Sequence, residues 1–256
     1  MKTTVWKEEL QYHEPYPVIA LIGFGLAVLA GLAALLSGLG SRWGWWYFGT
    51  GFIILGVSAL IGAISALAEF VISINLRGAS ARHILAFAVA GIVIGLAAAA
   101  VPAAWLRTAF RMPPIHDITT DMQNPPSFVA LMPLRTDAPN PAAYGGPAIA
   151  SQQQAAFPQV RPLILPLSPP DAFRNALAEA RRMGWTIVDA NAKEGRIEAT
   201  ATTFWFGFTD DIVVRVKPDD NGSRIDVRSV SRVGKGDLGT NARRVMAYLK
   251  TLGMES

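Results

Sequence analysis

Few side chains in this sequence are able to do chemistry. There are three histidines and no cysteine, so a thiolate nucleophile, a disulfide framework and an iron–sulfur site are excluded. His13 lies in the N-terminal tail and His83 at the end of an apolar run, leaving His116 as the one histidine of the polar C-terminal part. His116-Asp117 together with Asp121 could bind a cation or support general-base work. No second histidine is at hand to complete a usual zinc set, and we expect neither a metal nor a cofactor. No Ser–His–Asp order, G-x-S-x-G or phosphate loop is present. Asp117-Ile-Thr-Thr-Asp121 also has the composition of a polar turn, so a ligand role and a turn role both stay open.

Two other groupings could recognise a ligand. In Ser231–Gly239, the amides of Gly234 and Gly236 at a helix start, with Arg232 and Lys235, could hold a phosphate or carboxylate. Asp237 is equally placed to occupy that helix end itself. Thr203–Asp211 crowds Phe204, Trp205, Phe206 and Phe208 into one strand connection, where polar residues are usual. These rings are either core beneath a covering segment or an apolar contact site for a lipid chain or a membrane surface.

Behind these residues stand two kinds of chain. Residues 1–110 carry four acids and six bases, and the remainder carries 15 and 17. Each part is net +2 (6 − 4 and 17 − 15), too balanced for a nucleic-acid footprint, so no nucleic-acid partner is expected. Val18–Leu39, Phe48–Ala68 and Ile84–Leu106 are uncharged or nearly so. Each meets the roughly 20 residues needed to span a bilayer. The first run has three glutamates before it and no A-x-A site after it, so it reads as an uncleaved anchor. Trp43, Trp45, Trp46 and Tyr47 suit the headgroup level.

Gly23, Gly31, Gly38, Gly51, Gly56, Gly62, Gly91 and Gly95 would let helices approach closely, within the chain or between copies. Glu69 reads as a headgroup-level glutamate at the end of the second run. With Lys2, Lys7, Arg77 and Arg82 inside and Arg42, Arg107 and Arg111 outside, the C-terminal part faces away from the cytoplasm. That arrangement would suit a bacterial-type inner membrane, with a domain in the periplasm or outside.

Residues 112–170 hold 13 of the 17 prolines, which rules out one long helix or a central strand. Their apolar residues, among them Phe128, Leu131 and Val160, predict extended segments lying on the following domain, with a short helix over Ala148–Ala156. Ser168-Pro-Pro-Asp171 predicts a capped helix over 169–183, stopped by Gly184. Strands are expected at Trp185–Ala190, Arg196–Thr203, Asp211–Lys217 and Arg224–Ser231. Asn221-Gly222 predicts a hairpin with φ above zero at both positions. A last helix is expected over Leu238–Leu252, capped by Asp237.

The fold class is therefore a membrane all-α anchor of three transmembrane helices (1–110) plus an α+β soluble domain (111–256) opened by a proline-rich segment (111–168). That domain is an antiparallel four-stranded sheet with helices packed on one face. Alternation turns Ile197, Ala199, Ala201, Ile212, Val214, Val216, Ile225 and Val227 toward the helices. It puts Arg196, Glu198, Thr200, Thr202, Arg215, Lys217, Asp226 and Arg228 on the opposite face, either as a ladder of cross-strand ion pairs or as an anion site on Arg215 and Arg228. The proline-rich segment would cover part of this face.

Ile115-His-Asp-Ile-Thr-Thr-Asp121 before Pro125-Pro126, and Arg228-Ser-Val-Ser-Arg-Val-Gly-Lys-Gly-Asp-Leu-Gly-Thr-Asn241, resemble the family called domain of unknown function 1499. The resemblance covers about residues 112–252 and leaves the spans out. It brings no activity with it. It implies that His116, Asp117, Asp121, Arg228, Arg232, Asp237 and Asn241 are the first residues to test.

The leading expectation is a non-enzymatic envelope protein whose anchor holds a binding module next to the bilayer. Its ligand would be a lipid or other amphiphile, with an apolar part near Phe204, Trp205, Phe206 and Phe208. The anionic part would lie near Arg215, Arg228, Arg232, Lys235 and Asn241. One alternative is a hydrolase or metal-assisted enzyme using His116, Asp117 and Asp121. Another is a scaffold that recruits an envelope protein through the proline-rich segment. Self-association through the small-residue helix faces is a further expectation.

Overall fold

The computed structural model describes residues 16–75 and 81–254. Lys2, Lys7 and Arg77, which entered the charge reading above, and His13 lie outside the described residues. The chain divides into two compact units, Met1–Ala104 and Trp105–Ser256.

The first unit contains α1 (Tyr16–Arg42), α2 (Phe48–Asn75) and most of α3 (Ala81–Ala109). All three helices are long and apolar enough to cross a membrane, and we read the chain as a membrane protein. Lipid supplies no hydrophobic drive between helices, so close backbone approach must hold them. A Cβ on Gly62 would stand 2.8 Å from the carbonyl oxygen of Gly95, and one on Gly91 would stand 3.0 Å from Cγ of Glu69. Both glycines of the G-x-x-x-G pair thus face α2. Two of the serines are satisfied within their own helices: Ser37 donates to Ala34 at 2.6 Å and Ser58 to Ile54 at 2.7 Å. The Trp46 indole folds back to donate to the Ser37 carbonyl at 2.9 Å. Glu69, expected near the end of the second run, is fully buried against the neighbouring helices, and α2 continues past it to Asn75.

The second unit is built on one antiparallel sheet. Its strands are β1 (Asp117–Thr119), β2 (Leu163–Leu165), β3 (Thr186–Asn191), β4 (Arg196–Thr202), β5 (Thr209–Asp219) and β6 (Gly222–Ser231). The order is β1-β6-β5-β4-β3, and β2 also pairs with β6. The sheet thus has six strands, not the four expected. β1 pairs with residues 228–230 and β2 with 223–225, so together they line the outer edge of β6. Each is three residues long, and Pro162 and Pro166 bracket β2. No alternation can build up over such lengths, and β6 alone defines their register.

Local chemistry sets the helices. Ser168 accepts from the Asp171 amide at 3.4 Å and opens α5 (Pro169–Arg182), and Gly184 takes a φ of 73° after its end. The last helix, α6 (Thr240–Met254), starts two residues later than expected, because Leu238 and Gly239 turn into positive φ at 55° and 78°. The β5–β6 hairpin forms with Asp219 paired to Gly222, so its turn residues are Asp220 and Asn221. Only Gly222 has positive φ, at 130°. A Cβ there would meet the backbone of Leu165, Pro166 and Leu167, so glycine serves the approach of β2 as well as the turn.

The main core lies between the sheet and α5 and α6. Ile197, Ala199, Ile212, Val214, Val216, Ile225 and Val227 are buried there, as alternation predicted. Tyr248 joins the two helices by donating to the Ala176 carbonyl at 2.7 Å, and it stacks on Trp185 at 4.7 Å. On the other face Phe128 and Leu131 pack on Val213 and Val230. The short helix expected near 148–156 is α4 (Pro147–Ala156). It sends the fully buried Gln153 against β1. The Gln153 Oε1 accepts from the Thr119 amide at 3.0 Å and its Nε2 donates to the Thr119 carbonyl at 2.7 Å. A side-chain amide thus completes the strand edge.

Gln153→Ala should strand both Thr119 groups in a dry site and cost roughly 2–4 kcal/mol. Urea unfolding of the full-length protein followed by tryptophan fluorescence would read this. An unchanged midpoint would show that Gln153 does not close the edge.

Candidate functional site

The residues singled out by sequence fall into three places: the second sheet face, the start of α6, and the β4–β5 connection. On the second face, Glu198 comes from β4, Arg215 from β5, Asp226 and Arg228 from β6, and Asp117 from β1. The register pairs Arg215 with Asp226 and puts Val213 between Glu198 and Arg228. Asn124, Pro126, Phe128, Leu131 and Ala142 of the proline-rich segment lie over them.

Arg228 is buried and fully engaged. Its Nε and Nη2 donate to the two oxygens of Asp117 at 3.0 and 2.7 Å, Nη2 also to the Ala142 carbonyl at 2.8 Å, and Nη1 to the Pro126 carbonyl at 3.3 Å. Its guanidinium carbon lies over the rings of Phe128 and Tyr144, 5.3 and 5.6 Å from their centroids. Burial first, then the Asp117 charge, push the Tyr144 hydroxyl up to about 12, against the opposing pull of Arg228.

Arg215 donates to Asp121 and Asp226, each at 2.9 Å, and to the Asn124 carbonyl at 2.9 Å. Burial acts to raise the pKa of Asp121. The Asn124 amide, Arg215 and then Arg224 outweigh it, so this carboxyl titrates below the usual range. Arg232 clasps Asp211 at 2.9–3.2 Å, and Arg135 of the proline-rich segment also binds Asp211. Glu198 accepts three consecutive amides, of Val129, Ala130 and Leu131, at 2.9, 3.1 and 2.8 Å. Arg196 pairs with it as well. Sequence reading placed Arg215 and Arg228 on one face correctly, but their charges meet carboxylates of the same chain. Arg135 and Asp211 were missed; the apolar content of the covering segment was the only signal that this face is closed.

At the start of α6, Asp237 occupies the position that an external anion would need. Its carboxylate accepts from the amides of Gly239 and Asn241 at 2.8 and 2.6 Å. Burial pushes its pKa up. The two amides oppose that shift, and the neighbouring Asp210 charge adds to it. Asn241 is buried: its Nδ2 donates to the His116 carbonyl at 3.0 Å and the Ser231 hydroxyl at 2.9 Å, and its Oδ1 accepts from Ser229 at 2.7 Å and from Arg244. Lys235 is exposed, and its carbonyl lies 3.3 Å from Nδ1 of His116. His116, Asp117 and Asp121 are neighbours in sequence, yet the two carboxylates engage different arginines. A shallow open groove of about 670 Å³ beside Tyr144 is lined by residues such as Met122, Gln123, Pro125, Pro147 and Gln154, none of them charged.

The β4–β5 connection is a closed turn. The Thr203 amide donates to the Phe208 carbonyl at 2.8 Å and the Phe208 amide to the Thr203 hydroxyl at 2.9 Å, with Gly207 at a φ of 70°. Phe206 is buried and stacks on Phe208 at 5.5 Å, and Trp205 meets it edge-on at 5.2 Å. Trp105, the first residue of this unit and part of α3, lies 5.1 Å from Trp205 and 5.7 Å from Phe206. Phe204 points outward and is 80% exposed. Sequence reading absorbed Trp105 into the third span and did not connect it with these rings.

The model of a family described as "Protein of unknown function (DUF1499)" matches residues 117–252. The chain belongs to this family. The DUF1499 match begins on the first residue of β1, so the proline-rich segment is part of the family's domain and not a linker before it. Residues of its two motifs form the Asp117–Arg228 pair and the Asn241 hub. No curated protein matches the chain.

Asp117→Ala leaves Arg228 buried without its counter-charge and should cost about 3–5 kcal/mol. The double variant with Arg228→Ala should cost clearly less than the sum of the two single ones; strict additivity in denaturation would contradict the pairing. The depressed Asp121 titration gives a sign in pH. Its contribution is present above the ordinary carboxylate range and is lost as pH falls through its folded value. Wild type should therefore lose stability on acidification more steeply than Asp121→Asn, and parallel pH profiles would contradict this.

Proposed function

We propose that the protein is a non-enzymatic, membrane-anchored module whose aromatic β4–β5 connection contacts the apolar part of a lipid. One observation carries this reading: Phe204 is held outward on a closed turn, backed by packed Trp205, Phe206, Phe208 and Trp105. The backbone that carries Phe204 is already closed by the bonds of Thr203, so contact has little main chain left to order. Burying one phenylalanine contributes about 1.5–3 kcal/mol, too little to recruit a free protein. In a chain already tethered by three spans, the high effective concentration makes so weak a contact sufficient.

The polar part of the ligand is not held by Arg215, Arg228 or Arg232, because those arginines are engaged by Asp121, Asp226, Asp117 and Asp211. Among the residues first considered for an anionic group, this leaves the exposed Lys235. The charge balance of the loops supports a domain outside the cytoplasm, next to a bacterial-type inner membrane. The hydrolase reading finds less support, since Asp117 and Asp121 each serve an arginine.

A photo-crosslinking residue at position 204 of the full-length protein in native membranes tests the reading. A lipid adduct on the peptide is expected, with Phe204→Ser keeping the wild-type melting temperature. Adducts with protein alone, or none, would overturn it.

A further inference from the structure

The membrane-spanning unit holds a carboxylate that nothing above uses. Glu69 stands six residues before the end of α2, about 9 Å inside it at 1.5 Å per residue. Its relative exposure is 0%, and neither carboxylate oxygen has a hydrogen-bond partner. The Phe24 backbone of α1 lies near the carboxyl without reaching hydrogen-bonding geometry.

Both neighbouring helices present glycine to the carboxyl. A Cβ on Gly23 of α1 would occupy the place of Oε1, and one on Gly91 of α3 would crowd Cγ at 3.0 Å. The glycines are notches, and the carboxyl fills them. Ser65, one turn earlier on the same face of α2, is 3% exposed, and its hydroxyl too is without a partner. Among the described residues of the three helices, the other titratable side chains are Tyr16, Arg42, Arg82, His83 and Arg107, all in terminal turns. Among the described residues of the three helices, no cation therefore faces Glu69.

An ionised carboxylate needs a counter-charge or water, and at 0% exposure, with no polar partner among the described residues, the Glu69 carboxyl is closed to both. A metal ion would require several oxygen ligands and room for them. The notches leave no such room, and Glu69 and Ser65 offer three side-chain oxygens. The one positive ligand that fits without moving a helix is a proton.

We propose that Glu69 is a proton-binding site within the membrane-spanning bundle: the carboxyl holds its proton while α1, α2 and α3 are packed around it and releases it when they part. Protonation and helix packing are then one equilibrium. The closed bundle takes up a proton that the opened bundle, where Glu69 meets water, gives back. Any event that loosens α1 or α3 against Glu69 is thereby linked to pH.

The test is infrared difference spectroscopy on the full-length protein in lipid nanodiscs at neutral pH, wild type against Glu69→Gln. The expected result is a protonated carboxylic-acid carbonyl band in wild type that the variant lacks. Melting temperatures give a second reading. Glutamine has the size of the neutral acid and does not titrate, so the two proteins should melt together in acid. Wild type should fall below the variant as pH rises, because its unfolded form ionises in the ordinary carboxylate range while its folded form keeps the proton. If the variant does not fold, isotopic labelling of the glutamate carboxyls in wild type still assigns the band. A carboxylate signature in place of the acid band, or a melting difference flat with pH, overturns the proposal.

Discussion

Glu198, Asp211 and Asp226 are each 0% exposed on the second face of the sheet, and a buried carboxylate is tolerable only when charge and hydrogen bonds meet it. Most of the rest of the domain follows from meeting that demand. The sheet supplies Arg196, Arg215, Arg224 and Arg228, and Arg232 follows directly on β6. The remaining partners come from the proline-rich segment, which includes β1: three amides for Glu198, Arg135 for Asp211, the Thr120 hydroxyl for Asp226 at 3.2 Å, and Asp117 for Arg228. Proline suits a segment with this task. It lowers the entropy of the unfolded chain and brings no amide that would need burial partners of its own. Phe128 and Leu131 then seal the layer against Val213 and Val230.

The same arrangement narrows what the domain can recognise. A charged face closed by its own counter-charges is not a docking place for anions, and the start of α6 is occupied by Asp237. The contact proposed above is accordingly placed outside this network, on the aromatic turn between β4 and β5. Trp105 packs on its rings and Thr203 closes it by two hydrogen bonds, so fold and proposed contact share the same residues.

Much of this was legible in the residues. Strict alternation in β4, β5 and β6 assigned both faces, and Ser168 and Gly184 marked the ends of α5. Alternation says which side a residue faces but not whether that side is covered. Glu198 and Asp226 therefore read as members of a surface ladder until the proline-rich layer is seen upon them. β1 and β2 are too short to carry a period and exist because β6 has an unfilled edge. The start of α6 was misplaced because Leu238 takes a positive φ, which its type does not announce. Glu69 looked like a residue at a span end because its surroundings are glycines on other helices, and such proximity has no local signature.

Native-state hydrogen exchange of the amides of Val129, Ala130 and Leu131 tests the central claim most directly. If these three hydrogen bonds to Glu198 make the proline-rich segment an integral layer, the three amides exchange only through global unfolding, at the rate of the amides in the centre of β5. Exchange at the rate of an open loop would show that the segment merely rests on the sheet and would contradict the account.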